Sequence, residues 1–248
     1  MLESSLYQYI RAIELDRKHL TNSYPFSLKA IKELTRLEMN PCVTFIVGEN
    51  GTGKSTLLEA IAVAYGFNPE GGSKNFRFAT NETHSALSEY IQVTRGVKRA
   101  KDGFFFRAES FYNVASNIDE LDKDGAWPRV IDSYGGVSLH KQSHGESFMS
   151  LIMNRFEGNG LYILDEPEAA LSPTRQMALV SRIHELVSDN SQFIIATHSP
   201  IIMAYPNSTI YNIEGGYERV TYHDTEHYQV MKSFINNTEG MLKILLEN

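Results

Sequence analysis

The sequence predicts an α/β fold with a mainly parallel central sheet flanked by helices. Short apolar, β-branched segments alternate with helical segments along most of the 248 residues, which is the pattern of strands joined by crossover helices. Two of these apolar segments are followed directly by residues of types that often bind ligands: "CVTFIV" is followed by "GENGTGKST", and "LYIL" is followed by "DEP". In parallel sheets, ligands bind at the carboxyl ends of the strands, so these two junctions are the first candidates for a site.

The first half of the chain supplies an N-terminal antiparallel β portion and the first unit of the central sheet. Residues 7–15 are predicted as a strand, and the β-branched run at 42–47, bounded by proline and glycine, as a buried parallel strand. A helix is expected at 54–65, with Gly66 in the C′ position that ends it. The stretch at about 68–140, rich in Gly, Asn, Ser and Thr at its start, predicts a small inserted subdomain.

The second half continues the alternation of strands and helices. Residues 103–108 return to strand character, and a helix opens at Ser143. The strand "LYIL" ends at Asp165, and the next helix has Ser172 as its N-cap and Pro173 as its first residue. The strand "QFIIA", a hairpin at "STIYNIEGGYERVTYH" and two C-terminal helical stretches follow. We find no internal repeat or low-complexity linker, so we expect a single domain over 1–248.

The composition excludes several classes of protein. Cys42 is the single cysteine, so no internal disulfide forms and a reducing compartment is indicated. The formal net charge of −7 disfavours a broad nucleic-acid surface. The N-terminus lacks the basic-then-apolar order of a signal peptide, and no apolar run has the length of a membrane span. A soluble, cytoplasmic protein with no membrane insertion is therefore expected.

A glycine-rich loop, "GENGTGKST", matches G-x-x-x-x-G-K-[ST] between a strand and a helix. Backbone N–H groups of such a loop surround a phosphate at a helix N-terminus, and glycines remove side-chain bulk there. Lys54 supplies positive charge to the β- and γ-phosphate oxygens, and Ser55 offers its hydroxyl to Mg²⁺. The motif identifies a P-loop NTPase, which binds the phosphates of a nucleotide together with Mg²⁺. The predicted nucleotide-binding residues are Gly48, Glu49, Asn50, Gly51, Thr52, Gly53, Lys54, Ser55 and Thr56.

Two acidic residues follow the strand "LYIL". Asp165 and Glu166 stand at the carboxyl end of a buried strand, where carboxylates are costly unless a cation or a reaction uses them. Asp165 is predicted to hold Mg²⁺ through water, and Glu166 to orient or deprotonate an attacking water. Glu168, by contrast, suits a solvated turn. His198 ends the next strand, where we expect it to sense the γ-phosphate.

The helix that opens at "SHGES" contains a residue that helix formation does not explain. Ser143 and Glu146 have the spacing of a capping box, in which each side chain satisfies a backbone N–H of the first turn. A glycine in that turn weakens a helix. Gly145 therefore indicates that bare backbone is needed at this position for another purpose.

Taken together, these motifs resemble the ATP-binding-cassette (ABC) ATPase family and occur in its order. The Walker A motif is the glycine-rich loop at 48–55, the Walker B strand is 161–165 with Glu166 behind it, and the switch histidine is His198. "QSHGE" resembles a variant of the family signature, whose usual form is leucine, serine, two glycines and glutamine. The segments "FFFRAESFYNVAS" and "DEPEAALSP" resemble the small stand-alone bacterial predicted ATPases related to SMC-like and DNA-repair ATPase heads.

The resemblance implies how "SHGES" is used. In the family this helix N-terminus faces the γ-phosphate of ATP bound to the opposite subunit. The Ser143 hydroxyl, the Gly145 N–H and the helix dipole would then form an anion site, with Gly145 letting the phosphate approach the backbone. Because the chain has one P-loop, the pair would be a homodimer with two ATP molecules between its subunits.

Three positions depart from the family pattern or leave a choice open. Ser172 stands where the dimer-contact loop usually has an aspartate. The glutamine that normally follows the second strand is replaced by "RAES", so Glu109 or Ser110 is expected to take its water- and metal-contacting role. Tyr24 lies at a distance before Gly48 that suits stacking on adenine, and equally suits an ordinary tyrosine.

Several functions are compatible with these motifs. The favoured one is an ATP hydrolase whose dimer acts on a protein or nucleic-acid partner, because ATP binding alone would not require Glu166. A slowly hydrolysing regulatory or scaffold module is the alternative. The ATP subunit of a membrane transporter would need a separate permease and is disfavoured by the altered signature. A nucleotide kinase would leave His198 unused, and the N-K-x-D tetrad of a GTPase is missing.

A basic cluster, "RGVKRAK", lies on a predicted turn between strands at 95–101. Its four cationic side chains either contact nucleic-acid phosphates or form a solvated hairpin tip, and the acidic chain favours the second interpretation. No long coiled-coil insertion separates Lys54 from Ser143, which excludes a DNA-tethering arm of the SMC kind.

Overall fold

The computed structural model describes residues 6–18, 24–74, 85–123 and 129–246. The strands are β1 (Ile10–Leu15), β2 (Arg36–Glu38), β3 (Val43–Val47), β4 (Ile91–Arg95), β5 (Asp102–Arg107), β6 (Gly160–Asp165), β7 (Gln192–Ala196), β8 (Thr209–Asn212) and β9 (Glu218–Val220). The helices are α1 (Lys29–Glu33), α2 (Lys54–Tyr65), α3 (Phe111–Lys123), α4 (His144–Asn154), α5 (Pro173–Ser188), α6 (Pro200–Met203), α7 (Glu226–Asn236) and α8 (Thr238–Leu246). Short 3₁₀ turns connect several of them.

The strands form two sheets. The larger sheet has the order β5-β6-β7-β3-β8-β9, with parallel neighbours except for the antiparallel pair β8–β9. The smaller sheet is antiparallel, in the order β2-β1-β4. The predicted fold class is confirmed: an α/β architecture with a mainly parallel central sheet, flanking helices and an N-terminal antiparallel portion.

The central sheet is buried on both faces, which explains why its strands are apolar without interruption. Along β3, Phe45 packs into the core formed with α4 and α5, whereas Ile46 packs into the core formed with α2 and the smaller sheet. Successive side chains of a strand point to opposite faces, so both must be apolar here. All five residues of β3 are buried.

Most predicted elements form at or near their expected positions. The helix at 54–65 has the predicted bounds and ends at Gly66 in the left-handed conformation. Ser172 caps α5, with Pro173 as the first helical residue. The first strand begins at Ile10 rather than at residue 7. The hairpin β8–β9 and the two C-terminal helices also form.

The stretch at 68–140 contributes one strand to each of the two sheets. Its strand β4 pairs with β1 in the smaller sheet, and its strand β5 is the edge strand of the central sheet beside β6. Residues 75–84 and 124–128, which belong to the expected inserted subdomain, lie outside the described residues. In the described part of the chain, no helix has the length and apolar character needed to cross a membrane.

Gln192 joins the two sheets. Its side chain is fully buried at the start of β7, where Oε1 accepts hydrogen bonds from the backbone N–H groups of Tyr9 and Ile10, both at 2.9 Å. Its Nε2 donates to the carbonyl oxygens of Ile10 at 2.8 Å and Asn40 at 2.9 Å. The primary amide has two donors and two acceptor sites, and all four are used.

We predict that Gln192→Leu lowers the free energy of unfolding by about 3 kcal/mol, because it leaves several buried backbone groups without partners. Urea denaturation measures the change. The matched control is Gln92→Leu, at an exposed position of β4 whose side-chain amide donates to Asp16, and its effect should stay within about 0.5 kcal/mol. Equal effects of the two substitutions would contradict a structural role for the Gln192 amide.

Candidate active site

The predicted site residues meet at one edge of the central sheet. Strands β6, β7 and β3 are adjacent and parallel, so their carboxyl ends lie side by side. The glycine-rich loop follows β3, Asp165 ends β6, and His198 lies two residues after β7. The parallel pairing therefore brings together three chain segments that are far apart in the sequence.

The glycine-rich loop folds around the ammonium group of Lys54. Gly51 and Gly53 have φ angles of +79° and +105°, a region that side chains strongly disfavour. The Lys54 Nζ donates to the carbonyl oxygens of Gly48 at 2.8 Å and Glu49 at 2.9 Å. An ammonium group has three N–H donors, so the third can reach a phosphate oxygen while the other two hold the loop.

Acidic side chains surround Lys54. Burial lowers the pKa of Lys54, and the nearby carboxylates of Glu166 and Asp165 oppose that effect. The lysine side chain is 4% exposed. A cation that is this buried is stabilised by nearby negative charge, and the site is therefore suited to a ligand that brings phosphates together with a metal ion.

Ser55 and Asp165 form a pair of oxygen ligands. The Ser55 hydroxyl donates to Asp165 Oδ1 at 3.1 Å. Burial raises the pKa of Asp165 to about 7, and the Arg107 guanidinium on the neighbouring strand opposes the shift. Mg²⁺ prefers hydroxyl, carboxylate and phosphate oxygens and takes few ligands from the protein. The two residues therefore fit the predicted magnesium site.

A polar cavity of about 480 Å³ opens beside Ser55. Arg107 in its wall pairs with Glu59 at 2.5 Å and approaches Glu109 at 3.4 Å. The Ser110 hydroxyl donates to the carbonyl oxygen of Glu70 at 2.5 Å, whereas the Glu109 side chain is 86% exposed. Of the two residues expected to replace the family's glutamine, Glu109 is the one whose polar group faces solvent beside Ser55.

Tyr24 lies beside the first turn of α2. Its hydroxyl is 3.1 Å from Thr56 Oγ1, and its ring is 66% exposed. The tyrosine thus stands next to the glycine-rich loop with an open ring, as adenine stacking requires. That role remains a prediction.

Glu166 and His198 face each other across the ends of β6 and β7. The Glu166 N–H donates to the Ala196 carbonyl at 3.0 Å, and Glu166 has a left-handed φ of 49° that turns the chain away from the sheet. Glu166 Oε1 is 3.6 Å from His198 Nε2. The two side chains are partly exposed, but the His198 Nε2 atom that faces Glu166 is buried and, among the described residues, has no hydrogen-bond partner.

Glu168 is not in a solvated turn, and that expectation is wrong. Its carboxylate accepts hydrogen bonds from the Thr197 hydroxyl at 2.8 Å and from the His198 N–H at 2.5 Å. Burial raises its pKa, while these hydrogen bonds oppose the shift. Glu168 therefore holds the end of β7 against the turn after β6. The sequence indicated the acidic residues after β6, but it did not indicate the hydrogen bonds that Glu168 accepts from Thr197 and His198.

His198 has a second partner that the sequence did not indicate. Its Nδ1 lies 2.8 Å from Nε2 of His227, a residue in the first turn of α7. Burial lowers the pKa of His198, and the nearby charges of Lys54 and His227 act in the same direction. The ring is therefore neutral near pH 7.

The "SHGES" helix begins with the predicted capping box. The Ser143 hydroxyl donates to Glu146 Oε2 at 2.6 Å, the Ser143 N–H donates to the same oxygen at 3.0 Å, and the Glu146 N–H returns a hydrogen bond to Ser143 Oγ. These contacts with Ser143 lower the pKa of Glu146. Ser143 and His144 are exposed, so the helix N-terminus is open to a second molecule.

The structure gives another reason for the glycine at 145. A Cβ atom on Gly145 would lie 2.5 Å from the Ala170 carbonyl oxygen and 2.6 Å from the Arg175 side chain. Gly145 is buried by this contact inside the same subunit. Close packing of α4 against the turn after β6 therefore requires glycine at this position by itself. The role of Gly145 toward an incoming phosphate stays a prediction.

Two cations of the basic cluster have partners within the chain. The Arg95 guanidinium lies over the Tyr65 ring and donates to the Tyr65 carbonyl oxygen at 3.1 Å. The Lys98 ammonium lies 3.7 Å from the centre of the Tyr7 ring. These contacts favour the structural interpretation of this turn over a nucleic-acid surface.

The chain matches a known family over more than half of its length. A family model described as an AAA domain, AAA_23, matches residues 21–192, a segment that contains the glycine-rich loop and Asp165. The chain belongs to this AAA domain family. The match ends before His198, so the prediction for that histidine is supported by its contacts with Glu166 and His227 rather than by the family match.

Two relatives of this AAA-family protein are named as ATP-binding proteins. The energy-coupling factor transporter ATP-binding protein EcfA of Carboxydothermus hydrogenoformans is 28% identical over 199 residues, covering 75% of this chain and 72% of that protein. The lipoprotein-releasing system ATP-binding protein LolD of Buchnera aphidicola subsp. Schizaphis graminum is 26% identical over 227 residues, covering 78% of this chain and 94% of that protein. Several longer relatives are matched over only 25% to 41% of their length.

The SMC head domain from Thermotoga maritima aligns over 82% of this chain and 95% of that domain, with 18% identity and a TM-score of 0.40. The family match and the ATP-binding relatives together support the resemblance seen in the motifs. The chain is an ABC-type ATPase, an enzyme that binds and hydrolyses ATP.

We predict that Asp165→Asn stabilises the ATPase at pH 8 when nucleotide and metal are absent, although it should abolish turnover. The pKa of Asp165 is about 7 in the folded state and 3.8 ordinarily, so the folded state binds this proton more tightly and loses stability as pH rises through that window. Asparagine does not titrate. The free energy of unfolding of Asp165→Asn minus that of wild type should be larger at pH 8 than at pH 5, by on the order of 2 kcal/mol.

Urea denaturation at the two pH values measures this difference. Glu109→Gln, at an exposed carboxylate of the same cavity wall, is the control and should show no such growth. A gain for Asp165→Asn that is the same at pH 5 and pH 8 would contradict the raised pKa.

Proposed function

We propose that this ABC-type ATPase closes as a homodimer around two ATP molecules and uses the hydrolysis cycle to act on a protein or nucleic-acid partner. The observation that supports hydrolysis is the meeting of Lys54, the Ser55–Asp165 pair and the Glu166–His198 pair at one sheet edge. A cytoplasmic location, where ATP is available, fits this activity.

ATP binding is assigned to the glycine-rich loop and its flanks. The backbone N–H groups of residues 49–56 and the N-terminus of α2 would hold the β-phosphate, with Lys54 between the β- and γ-phosphate oxygens. Tyr24, which contacts Thr56, would stack on the adenine. Ser55 and Asp165 would hold Mg²⁺, with Glu109 reaching it through water. Bound there, Mg²⁺ neutralises phosphate charge and orients the γ-phosphoryl group.

Hydrolysis follows from the positions of Glu166 and His198. A water between Glu166 and the γ-phosphate would attack the phosphorus while its proton passes to the Glu166 carboxylate, and the bond to the β-phosphate oxygen would break. His198 Nε2, 3.6 Å from Glu166 Oε1, would donate a hydrogen bond to the phosphoryl oxygens as charge develops on them. The products would be ADP and inorganic phosphate.

The homodimer proposal depends on the exposed N-terminus of α4. Ser143 and His144 are exposed there, and the first-turn N–H groups carry the positive end of the helix dipole. The Glu146 carboxylate is held back by Ser143 and lies 3.7 Å from the Arg175 guanidinium. These contacts fix the position of the carboxylate and partly compensate its charge, so a phosphate from a second subunit could approach the exposed Ser143 and His144.

A transporter ATP-binding subunit is the second candidate function. The names of EcfA and LolD support it, since both are ATP-binding proteins of transport or release systems. Such a subunit would need a separate membrane component. The discriminating measurement is ATP turnover of the purified chain alone, compared with turnover after co-expression with the membrane proteins of its own genome neighbourhood. Turnover that appears only with such a component would favour the transporter.

We predict that Glu166→Gln traps the homodimer. The variant should bind ATP without transferring the water proton, so Mg-ATP should shift its mass in light scattering from 28.0 kDa, that of the single chain, to about twice that value. A variant that binds ATP and stays at the single-chain mass would contradict the dimer. Very slow wild-type turnover together with a stable dimer would favour the scaffold alternative.

A second substitution tests whether the dimer uses the N-terminus of α4. In the Glu166→Gln background, His144→Glu places a negative charge at this exposed helix end and should abolish the mass shift without weakening ATP binding by the single subunit. The matched control is Met153→Glu, which is also an exposed position, at the other end of α4. If both substitutions leave the dimer intact, the helix end is not part of the interface.

A further inference from the structure

We propose that His227 is a positioning residue for ATP hydrolysis, which donates a hydrogen bond to His198 and thereby fixes the ring tautomer of that histidine. The inference rests on the proposed role of His198 at the γ-phosphate. It adds helix α7, which lies outside the segment matched by the AAA family model, to the hydrolytic site.

The contact between the two histidines is a direct hydrogen bond. His198 Nδ1 and His227 Nε2 are 2.8 Å apart, and the rings meet edge to face at 61° with their centres 4.9 Å apart. On the other side of the same ring, His198 Nε2 is 3.6 Å from Glu166 Oε1 and, among the described residues, has no hydrogen-bond partner. The ring of His198 is thus held at Nδ1, whereas its buried Nε2 atom faces Glu166 without a hydrogen bond.

The groups that face His198 Nε2 determine which of the two histidines is the donor. A neutral imidazole carries its proton on one nitrogen only. A His198 proton on Nδ1 would leave the Nε2 lone pair facing the Glu166 carboxylate and the incoming phosphate, which are both hydrogen-bond acceptors. A proton on Nε2 avoids this repulsion, makes Nδ1 the acceptor and requires His227 Nε2 to be the donor.

The N-terminus of α7 fixes the position of His227, whereas the rest of that helix is not buried. Thr225, the N-cap residue, is 3% exposed, and its hydroxyl donates to the Tyr222 carbonyl oxygen at 2.7 Å. Neither α7 nor α8 has a buried side chain. His227 is half-buried and lies in the first turn, where α7 meets α6, the helix that begins two residues after His198.

The experiment compares His227→Phe with His227→Gln. Phenylalanine keeps a ring of similar size but removes the donor, so kcat for ATP hydrolysis should fall roughly 10-fold or more, with little change in KM. Glutamine carries an N–H donor at the corresponding distance along the side chain and should restore turnover to within about 3-fold of wild type. His223→Phe, an exposed histidine just before α7, is the control and should leave turnover unchanged.

The tautomer itself is observed by ¹⁵N–¹H correlation spectroscopy of protein labelled on its eight histidines. The His198 resonances are assigned by their loss in His198→Gln. In wild type, His198 should carry its proton on Nε2 and an unprotonated Nδ1; in His227→Phe this pattern should be lost. The wild-type spectrum tests the proposal even if His227→Phe fails to fold. A wild-type His198 protonated on Nδ1 would overturn it.

His198→Gln separates this inference from the proposed function. If His198→Gln hydrolyses ATP at the wild-type rate, the role of His198 itself fails. If His198→Gln is impaired while His227→Phe retains wild-type turnover, only the positioning role of His227 fails. If both are correct, the double variant should be no slower than His198→Gln alone, because His227 acts through His198.

Discussion

The parallel pairing of β6, β7 and β3 is the constraint on which the active site depends. In this ladder Asp165 is in register with Ala196, and Ala196 with Ile46, so the three strands end at the same level. Both faces of these strands are buried, and charged side chains are excluded until the strands end. Lysine, carboxylates and histidine are therefore concentrated at one edge, where backbone direction and helix dipoles also favour phosphate.

The charges at this edge are arranged for a ligand rather than for the stability of the empty protein. Burial lowers the pKa of Lys54 and raises the pKa of both Asp165 and Glu168. Each of these charged groups is held in a low-dielectric environment at some cost in folding free energy. Mg²⁺ and phosphates would compensate these charges, so binding and stability are coupled through the same side chains.

The contacts around His198 hold this side chain of the candidate site from several directions. Glu168 binds its backbone N–H, His227 contacts Nδ1, and Glu166 faces Nε2. These three residues come from the turn after β6 and from α7. The family resemblance accounts for Glu166 and His198, whereas the other two contacts are features of this chain that position the histidine between its neighbours.

The sequence by itself determined the elements and residues whose chemistry is local. The glycine-rich loop before α2, the Ser143–Glu146 capping box and the Ser172–Pro173 helix start were all predicted, because each depends on side chains within a few residues. Parallel strands with apolar faces also predicted that Asp165 and His198 would lie at one edge.

Only the tertiary structure decided which distant groups meet. Gln192 bonds to Tyr9 across 183 positions, His227 to His198 across 29, and Gly145 packs against the Ala170 carbonyl. The stretch at 68–140 likewise contributes one strand to each of the two sheets, which no local pattern predicted. No local pattern encodes such contacts, because they depend on strand order and on the angle at which a helix returns to the sheet, which the packing of the whole domain sets.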